Sequence, residues 1–212
     1  MSDLTVLIDY ESGNLHSAEK AFARMAAEVD AGKVIVSDRA EDVAQASRVV
    51  LPGDGAFPAC RTALTARVGL YEALVEAVER RGVPFLGICV GMQLMARRGH
   101  EYEETAGLGW IDGEVQKIAA PGLKVPHMGW NALEIDAAHP VLAGIDTGNH
   151  VYFVHSYHME VQTPEERLAT ANYGAPITAV VARDNRVGMQ FHPEKSQTVG
   201  LRIISNFLAW TP

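Results

Sequence analysis

Apolar positions in the first half of the chain form short runs, separated by longer stretches in which they recur every three or four residues. The runs predict buried strands at 4–8, 33–36, 48–51 and 83–88, the first of them ending in a turn-rich segment, 9–14. The spaced stretches predict helices over 15–25, from a cap at Ser37 or Asp38 to about Ala46, and over 59–66, 70–80 and 90–98. Strands that alternate with helices indicate an α/β fold.

The pattern changes after residue 100. A polar segment, 101–105, precedes short runs that predict strands at 113–118, 132–135, 151–154, 167–171, 177–181 and 186–190. The last predicted helix is 199–210, with Gln197 or Thr198 as its cap. Since no repeat or linker divides the chain, we expect one domain over 1–212. Its mixed, mainly parallel sheet would carry helices on both faces and an antiparallel extension.

Composition and charge exclude several classes of function. The chain has 212 residues, of which 48% are hydrophobic and 21% charged, as in ordinary globular proteins. A net charge of −8 gives no long-range attraction for nucleic acid or an anionic membrane. The two cysteines, Cys60 and Cys89, are too few for a disulfide framework and suit a reducing cytoplasm. We see no signal peptide and no run long enough to span a membrane.

Cys89 is the candidate nucleophile. It lies between Gly87 and Gly91, where an apolar run passes into a helical pattern, so it is expected on a tight strand-to-helix turn. The two glycines would allow a strained backbone and the close approach of another segment. Such a turn would push the sulfur out of the sheet, favour its thiolate form and direct the N–H of Val90 toward whatever the sulfur attacks. The alternative is that Cys89 is a small buried apolar residue.

His192, Pro193 and Glu194 form the candidate base. Proline disfavours helix for His192, so we expect an extended tripeptide at a strand end, in which the Glu194 carboxylate reaches the His192 ring. The carboxylate would fix the tautomer and stabilise the imidazolium. The alternative is a surface histidine beside a solvated carboxylate. Cys89 and His192 both belong at the carboxyl edge of the sheet, where open α/β sheets carry their sites.

Two further features are ambiguous or negative. The turn 52–55, with a proline and two glycines, can present a backbone N–H outward, but it can also be an ordinary connection. Four histidines lie between 139 and 158. Because His155 and His158 would lie on opposite faces of a strand, we predict no metal site.

Motifs along the chain resemble those of a known family. PGDGAF, GICVGMQ and QFHPEKS, in this order and spacing, resemble motifs of the class I (triad) glutamine amidotransferases. IDYESGNLHS, PHMGWN, YFVHSY and HPEKSQTVGLRIISNF are similar to motifs of one group within that class, the glutaminase subunits of imidazole glycerol phosphate synthase. The resemblance covers nearly the whole chain. It implies a flavodoxin-like, three-layer fold and the hydrolysis of glutamine without a cofactor.

The resemblance implies a role for each matching residue. Cys89 would attack the side-chain amide of glutamine, and His192, oriented by Glu194, would protonate the leaving ammonia and then activate water. The oxyanion hole would combine the N–H of Val90 with that of Asp54 or Gly53. The substrate-binding residues would be Gly55, Gln93, Glu101 and Ser156. Of these, Gln93 and Glu101 would hold the α-amino and α-carboxylate ends of the substrate.

The resemblance also implies a partner, because ammonia is lost to protonation in bulk water. A cyclase subunit would form a heterodimer with this chain and use the ammonia to make imidazole glycerol phosphate and AICAR in histidine biosynthesis. The residues expected at that face are Pro126, Met128, Trp130, Asn131, Tyr152 and Lys195. Trp130 could instead be a core aromatic. Asp54 departs from the family, which often has an apolar residue there, and we expect its carboxylate to face solvent or the partner.

Other functions fit parts of the pattern. The chain could be the glutaminase part of anthranilate or guanylate synthesis, although PHMGWN and YFVHSY argue against this. It could also be a regulatory module without turnover on the same fold, which the intact Cys89, His192 and Glu194 disfavour. A flavodoxin-like flavin carrier fits least well.

Overall fold

A computed structural model describes residues 3–11 and 15–212. The predicted turn at 9–14 therefore lies partly outside the described residues. The strands are β1 Leu4–Ile8, β2 Lys33–Ser37, β3 Arg48–Leu51, β4 Phe85–Ile88, β5 Arg98–Gly99, β6 Thr105–Ala106, β7 Gly113–Lys117, β8 His127–Ala132, β9 Glu134–Ile135, β10 His150–His155, β11 Tyr157–Val161, β12 Arg167–Asn172, β13 Pro176–Arg183 and β14 Arg186–Met189. The helices are α1 Leu15–Val29, α2 Ala40–Gln45, α3 Phe57–Ala66, α4 Leu70–Val75, α5 Val90–Gln93 and α6 Gln197–Ala209. A wider helical turn, Glu76–Arg80, continues α4, and single 3₁₀ turns lie at Pro140–Leu142, Pro164–Glu166 and Pro193–Lys195.

An eight-stranded sheet forms the centre of the fold. Its order is β2-β1-β3-β4-β14-β13-β12-β9, in which the first five strands are parallel and the last three antiparallel. All four residues of β4 are buried, as expected for a strand covered on both faces. The predicted mixed, mainly parallel sheet with an antiparallel extension is confirmed.

The helices pack on both faces of this sheet. From β1 the chain moves outward to β2 and then back past β1 to β3, so right-handed connections place α1 and α2 on opposite faces. Helix α6 packs against α1, with the rings of Phe22 and Phe207 edge to face at 6.4 Å, while α4 packs against α2. This arrangement leaves the carboxyl edge of the parallel strands open.

Two smaller sheets flank that edge. One pairs β8 with β10, and the other has the order β11-β7-β5-β6. The strand predicted at 132–135 is correct only in part, because Ala132 is the last residue of β8, Leu133 lies outside any strand, and Glu134–Ile135 forms β9. β8 escaped prediction because its pattern is inverted: the polar His127 is buried, whereas Met128 and Trp130 are exposed.

Three predicted helix boundaries are wrong. Helix α5 stops at Gln93 instead of near Arg98, since the carbonyls of Leu94, Met95 and Ala96 accept N–H groups from residues 108–110. Helix α2 is preceded by Arg39, because the Ser37 hydroxyl donates to Asp42 and accepts from the Arg39 N–H. Helix α6 begins at Gln197 rather than 199, and Ser196 occupies its cap position.

Candidate active site

Cys89 lies on the sharp turn between β4 and α5. Its backbone has φ 54° and ψ −111°, a conformation that non-glycine residues rarely adopt. Its N–H donates to the Met189 carbonyl at 2.7 Å, which anchors the turn to the adjacent strand β14. Strain of this kind persists only where the surroundings hold it in place. The predicted strained strand-to-helix turn is confirmed.

The glycines on either side of Cys89 are required by close backbone contacts. A Cβ atom at Gly91 would lie 1.8 Å from the carbonyl oxygen of Leu51, the last residue of β3. A Cβ atom at Gly87 would lie 2.5 Å from the Gly91 carbonyl oxygen. Both distances are far below van der Waals contact. The turn that carries Cys89 can therefore pack this closely only with glycine at both positions.

Three neighbouring strands bring the candidate groups to one edge of the sheet. Ile88 of β4 pairs with Met189 of β14, and Gly87 pairs with Leu51 of β3. Each of these strands then ends: β3 in the 52–55 turn, β4 in Cys89, and β14 in the segment that carries His192. The expectation that Cys89 and His192 share the carboxyl edge is confirmed.

His192 and Glu194 form a buried pair. The His192 Nδ1 atom lies 2.8 Å from the Glu194 Oε1 atom, and the two side chains are 8% and 4% exposed. The contact was predicted, but the conformation differs from the extended tripeptide expected. His192 itself is extended, whereas Pro193–Lys195 forms a 3₁₀ turn. The turn brings the Glu194 carboxylate back onto the His192 ring. In an extended chain the carboxylate would have to reach the ring along one face of the strand.

Interactions of the His192 ring set its charge. Burial alone lowers the pKa of His192, because a charged ring loses hydration. The interactions with Cys89 and Glu194 outweigh burial and raise the pKa of His192 to about 9. The ring is therefore an imidazolium at neutral pH. Its buried Nε2 atom has no hydrogen-bond partner of normal geometry among the described residues, although Cys89 lies close enough to raise the pKa of His192.

These groups open into a cavity of about 450 Å³. Its walls are Asp54, Gly55, Cys89, Val90, Gln93, Glu101, Pro126, Val154, His155, Ser156, Tyr157, His192 and Lys195. The predicted substrate-binding residues all lie in this wall. Two residues predicted for the partner face, Pro126 and Lys195, lie there as well, so the expected docking face adjoins the pocket. Glu194 is buried behind His192, and Gly53 is buried beneath the turn.

Hydrogen bonds fix two of the predicted substrate ligands. The buried Gln93 amide nitrogen donates to the Tyr157 carbonyl at 2.9 Å and to the Gln190 Oε1 atom at 3.1 Å. Glu101 accepts the N–H of Phe57, the first residue of α3, through its Oε2 atom at 2.8 Å. Both side chains are thus held in place before any substrate arrives.

The predicted partner-face residues divide into two groups. Trp130 is 47% exposed and Met128 is 62% exposed, and Tyr152 pairs with Trp130 across the strands, with ring centres 5.9 Å apart. The alternative of Trp130 as a core aromatic is therefore wrong. Asn131 lies on the other face of β8, where its amide nitrogen contacts His127 at 3.2 Å and the Asn172 carbonyl at 2.9 Å.

Sequence reasoning missed two polar residues beside the base. Gln190 is fully buried, with its amide nitrogen 3.8 Å from the Cys89 sulfur. The Ser196 hydroxyl donates to the His192 carbonyl at 2.6 Å and accepts the Tyr152 N–H at 3.0 Å, and the His192 N–H donates to the Tyr152 carbonyl. These bonds fasten His192 to β10. The available signal was their position within QFHPEKS, two residues before and four residues after the histidine.

Two other kinds of site have no support in the described part of the chain. No group of three or more histidine, cysteine, aspartate or glutamate side chains there could hold a metal ion. None of the described helices has both the length and the apolarity that crossing a bilayer requires. Asp54 is exposed and lies in the pocket wall.

Comparisons with known proteins agree with this geometry. The family model for class-I glutamine amidotransferases matches residues 6–210. The chain is 69% identical to the imidazole glycerol phosphate synthase subunit HisH of Cereibacter sphaeroides, over 99% of this chain and 100% of that protein. It is 67% identical to the HisH subunit of Ruegeria pomeroyi, with the same coverage. A crystal structure of a glutamine amidotransferase superposes with a TM-score of 0.73 at 20% identity, covering 96% of this chain and 97% of that one, and shares its fold. The chain therefore belongs to the class-I glutamine amidotransferases and, within them, to the HisH subunits of imidazole glycerol phosphate synthase.

Proposed function

We propose that Cys89, His192 and Glu194 are the triad with which this chain hydrolyses L-glutamine. The observation that carries the proposal is the buried His192–Glu194 pair in one pocket with a cysteine on a strained elbow. The Cys89 sulfur attacks the side-chain carbonyl carbon, and the His192 imidazolium gives its Nε2 proton to the leaving nitrogen, so that ammonia departs and a thioester remains. Neutral His192 then takes a proton from water, which attacks the thioester, and glutamate and the free sulfur are released.

The oxyanion of each tetrahedral intermediate needs two N–H donors. Val90 supplies one, since its N–H begins helix α5 and donates to no backbone carbonyl beyond that helix within the described ranges. The 52–55 turn supplies the other. Asp54 is favoured over Gly53, because Asp54 lines the pocket. Loss of one such donor typically costs about 3 kcal/mol of transition-state stabilisation.

The contacts of Gln93 and Glu101 decide which end of glutamine they bind. Both protons of the Gln93 amide nitrogen are used within the protein, which leaves its oxygen to accept from the substrate. Glu101 is a carboxylate and accepts only. We therefore propose that both residues hold the α-ammonium group. The α-carboxylate would bind elsewhere in the wall, beside Gly55 and Ser156.

We further propose that the ammonia passes to a cyclase subunit, which makes imidazole glycerol phosphate and AICAR in histidine biosynthesis. The HisH names of the relatives favour this pathway over anthranilate or guanylate synthesis. The exposed Met128 and Trp130 on β8, with Tyr152 opposite and Lys195 at the pocket, form the docking face. Trp130→Ala should weaken binding to the cyclase much more than it lowers the melting temperature. A reverse ranking would count against this face.

Two coarser proposals complete the assignment. Residues 1–212 form a single glutamine amidotransferase domain, since the family match extends from residue 6 to residue 210 without interruption. The chain works in the cytoplasm, because its two cysteines, Cys60 and Cys89, are too few for a disulfide framework and suit a reducing compartment.

The test is ammonia release from glutamine, measured for the wild type and Cys89→Ser, alone and with the cyclase subunit and its nucleotide ligand. We expect wild-type release to rise by orders of magnitude with the loaded partner, and Cys89→Ser to stay at background. Wild-type turnover that the cyclase does not change would leave the chemistry intact and remove the partner. Equal turnover by wild type and Cys89→Ser would remove the triad.

A further inference from the structure

Gln190 contacts both the nucleophile and a proposed substrate ligand. It follows β14 directly, is fully buried, and donates its backbone N–H to the Ala179 carbonyl at 2.9 Å. Its side-chain nitrogen lies 3.8 Å from the Cys89 sulfur, and its side-chain oxygen accepts from Gln93 at 3.1 Å. The roles that the family resemblance implies do not include this residue.

The surrounding hydrogen bonds fix which way the Gln190 amide points. The Tyr157 carbonyl can only accept, so Gln93 must direct its nitrogen toward Tyr157 and, with its second proton, toward Gln190. Gln190 must then offer its oxygen to Gln93. Its NH₂ group is left facing the Cys89 sulfur. A flipped amide would set two nitrogens against each other, so the network admits one orientation.

We infer that Gln190 is a positioning residue of the glutaminase site. Its amide donates to the thiolate form of Cys89 and holds the Gln93 amide, thereby linking the nucleophile to the group that receives the substrate's ammonium. The inference rests on the proposed function, because it takes Cys89 as the nucleophile and Gln93 as a substrate ligand. A donor beside sulfur favours the charged form, and a fixed Gln93 keeps the substrate amide at a constant distance from the sulfur.

Two substitutions at Gln190 separate its contacts. Gln190→Glu keeps an acceptor for Gln93 but replaces the donor that faces the sulfur with an anionic or neutral oxygen. Gln190→Leu removes both contacts at similar volume. This variant keeps the test possible if the buried carboxylate of Gln190→Glu prevents folding. The matched control is Asn185→Leu, which removes a buried amide that donates to the Val78 and Val83 carbonyls, away from the pocket.

The measurement is the pH profile of Cys89 alkylation by iodoacetamide in the full chain, with the modified cysteine identified by mass spectrometry to exclude Cys60. We expect the midpoint to move to higher pH by about one unit in Gln190→Leu, which is about tenfold slower alkylation below the midpoint. It should move further in Gln190→Glu and stay fixed in Asn185→Leu. The titratable and charged side chains that share the pocket with Cys89 are Asp54, Glu101, His155, Tyr157, His192 and Lys195, and the variants leave all of them in place.

Kinetics with the cyclase partner give the second readout. Gln190→Leu should raise the KM for glutamine and lower kcat at neutral pH, whereas Gln190→Glu should affect kcat more than KM, since it still holds Gln93. Unmoved alkylation profiles in both variants would overturn the assignment. The same holds if Asn185→Leu shifts the profile equally. The triad is judged separately, by ammonia release from the wild type against Cys89→Ser, so the two ideas can fail independently.

Discussion

Two buried histidines lie in the wall of one pocket, and one of them is positively charged while the other is neutral. The pKa of His192 is raised to about 9, whereas that of His155 is lowered to about 3. Burial lowers the pKa in both cases and is the largest single cause for each, so it cannot explain the difference. The partners explain it. Cys89 and the Glu194 carboxylate, 2.8 Å from the ring, raise the pKa of His192, whereas His155 faces a carbonyl and another histidine.

The hydrogen bonds around His155 are satisfied only by neutral rings. Its Nδ1 atom lies 2.8 Å from the Tyr157 carbonyl, which must accept, so Nδ1 carries the proton and Nε2 accepts. The Nδ1 atom of His127, 2.9 Å from that Nε2, must therefore donate. The Nε2 atom of His127 then accepts from Asn131 at 3.2 Å. Protonating either ring would set two donors against each other, which agrees with the pKa of His127 being lowered to about 4, mainly by burial.

One pocket can thus hold both a charged and an uncharged imidazole, provided that their partners differ. The two regions meet at the Tyr157 carbonyl, which accepts from His155 on one side and from Gln93 on the other. A neutral pair of histidines can therefore hold the carbonyl that binds Gln93, the proposed substrate ligand, without adding a second positive charge beside His192. The positive charge of His192 in turn contributes to keeping His155 neutral.

The largest expected effect comes from exchanging the same residue type in each region. His192→Gln should lower ammonia release, measured with the loaded cyclase, by about 1,000-fold or more, because the proton donor to the leaving nitrogen and the base are both lost. His155→Gln should lower it by about tenfold at most, since a neutral amide can still donate to the Tyr157 carbonyl. Comparable losses in the two variants would mean that the uncharged histidine takes part in the chemistry.

Glu194→Gln tests whether the carboxylate sets the charge of His192. Because Glu194 raises the pKa of His192, its amide variant should lower that pKa, so protonation of the leaving group should fail at lower pH. We expect the alkaline limb of kcat/KM to move down by about one pH unit or more, together with a loss of about 100-fold at pH 7. The check is a pH–rate profile of ammonia release for both proteins. An alkaline limb that stays in place would assign it to another group.

The part of the site that sequence reasoning recovered is encoded in short stretches. The sharp turn at Cys89 can be predicted from Gly87 and Gly91, because backbone strain and close approach need glycines at a fixed spacing. His192 and Glu194 meet because they are two residues apart, and they do so although their local conformation is a 3₁₀ turn rather than the extended one predicted.

The part that sequence reasoning missed depends on distant partners. Helix α5 ends early because backbone N–H groups from residues 108–110 capture the carbonyls of its expected last turn. In the sequence, Gln190 is only a polar residue after a predicted strand. Its role depends on contacts with Gln93 and Cys89, which are distant in the sequence. Strand β8 reverses the usual pattern, since its apolar side chains are exposed and His127 is buried. The alternation of polar and apolar residues within β8 does not show which of its faces is buried.

Acid unfolding distinguishes the neutral histidines from the charged one. Between pH 7 and pH 5 the unfolded chain takes up a proton at His155, whose ordinary pKa is 6.5, while the folded protein, with a pKa of about 3, does not. Stability therefore falls as the pH drops below about 6.5, by about 2 kcal/mol from this histidine at pH 5. His192 acts in the opposite direction. Its contribution is complete below pH 6.5 and is lost as the pH rises toward 9.

The measurement is urea unfolding at pH 7, 6 and 5. His155→Gln should be less stable than the wild type at pH 7 but should lose less stability toward pH 5. The other histidines with lowered pKa values, His127, His139 and His158, remain in the variant and keep part of the slope. His16→Gln is the control, because His16 is exposed and its replacement should leave the slope unchanged. Parallel curves for wild type and His155→Gln would contradict the neutral pair.

Asp54→Val should have little effect. It tests an exposed carboxylate of the pocket against the buried carboxylate of Glu194. Asp54 and Glu194 carry the same charge near the same pocket, but Glu194 is buried against His192 while Asp54 is exposed at the mouth, where water screens it. Asp54 also contributes its N–H to the proposed oxyanion hole, a role that valine can fill equally well. Ammonia release with the loaded cyclase should therefore stay within a few-fold of the wild type across the pH profile. A collapse would show that an exposed carboxylate at the pocket affects ammonia release as strongly as the one buried against His192.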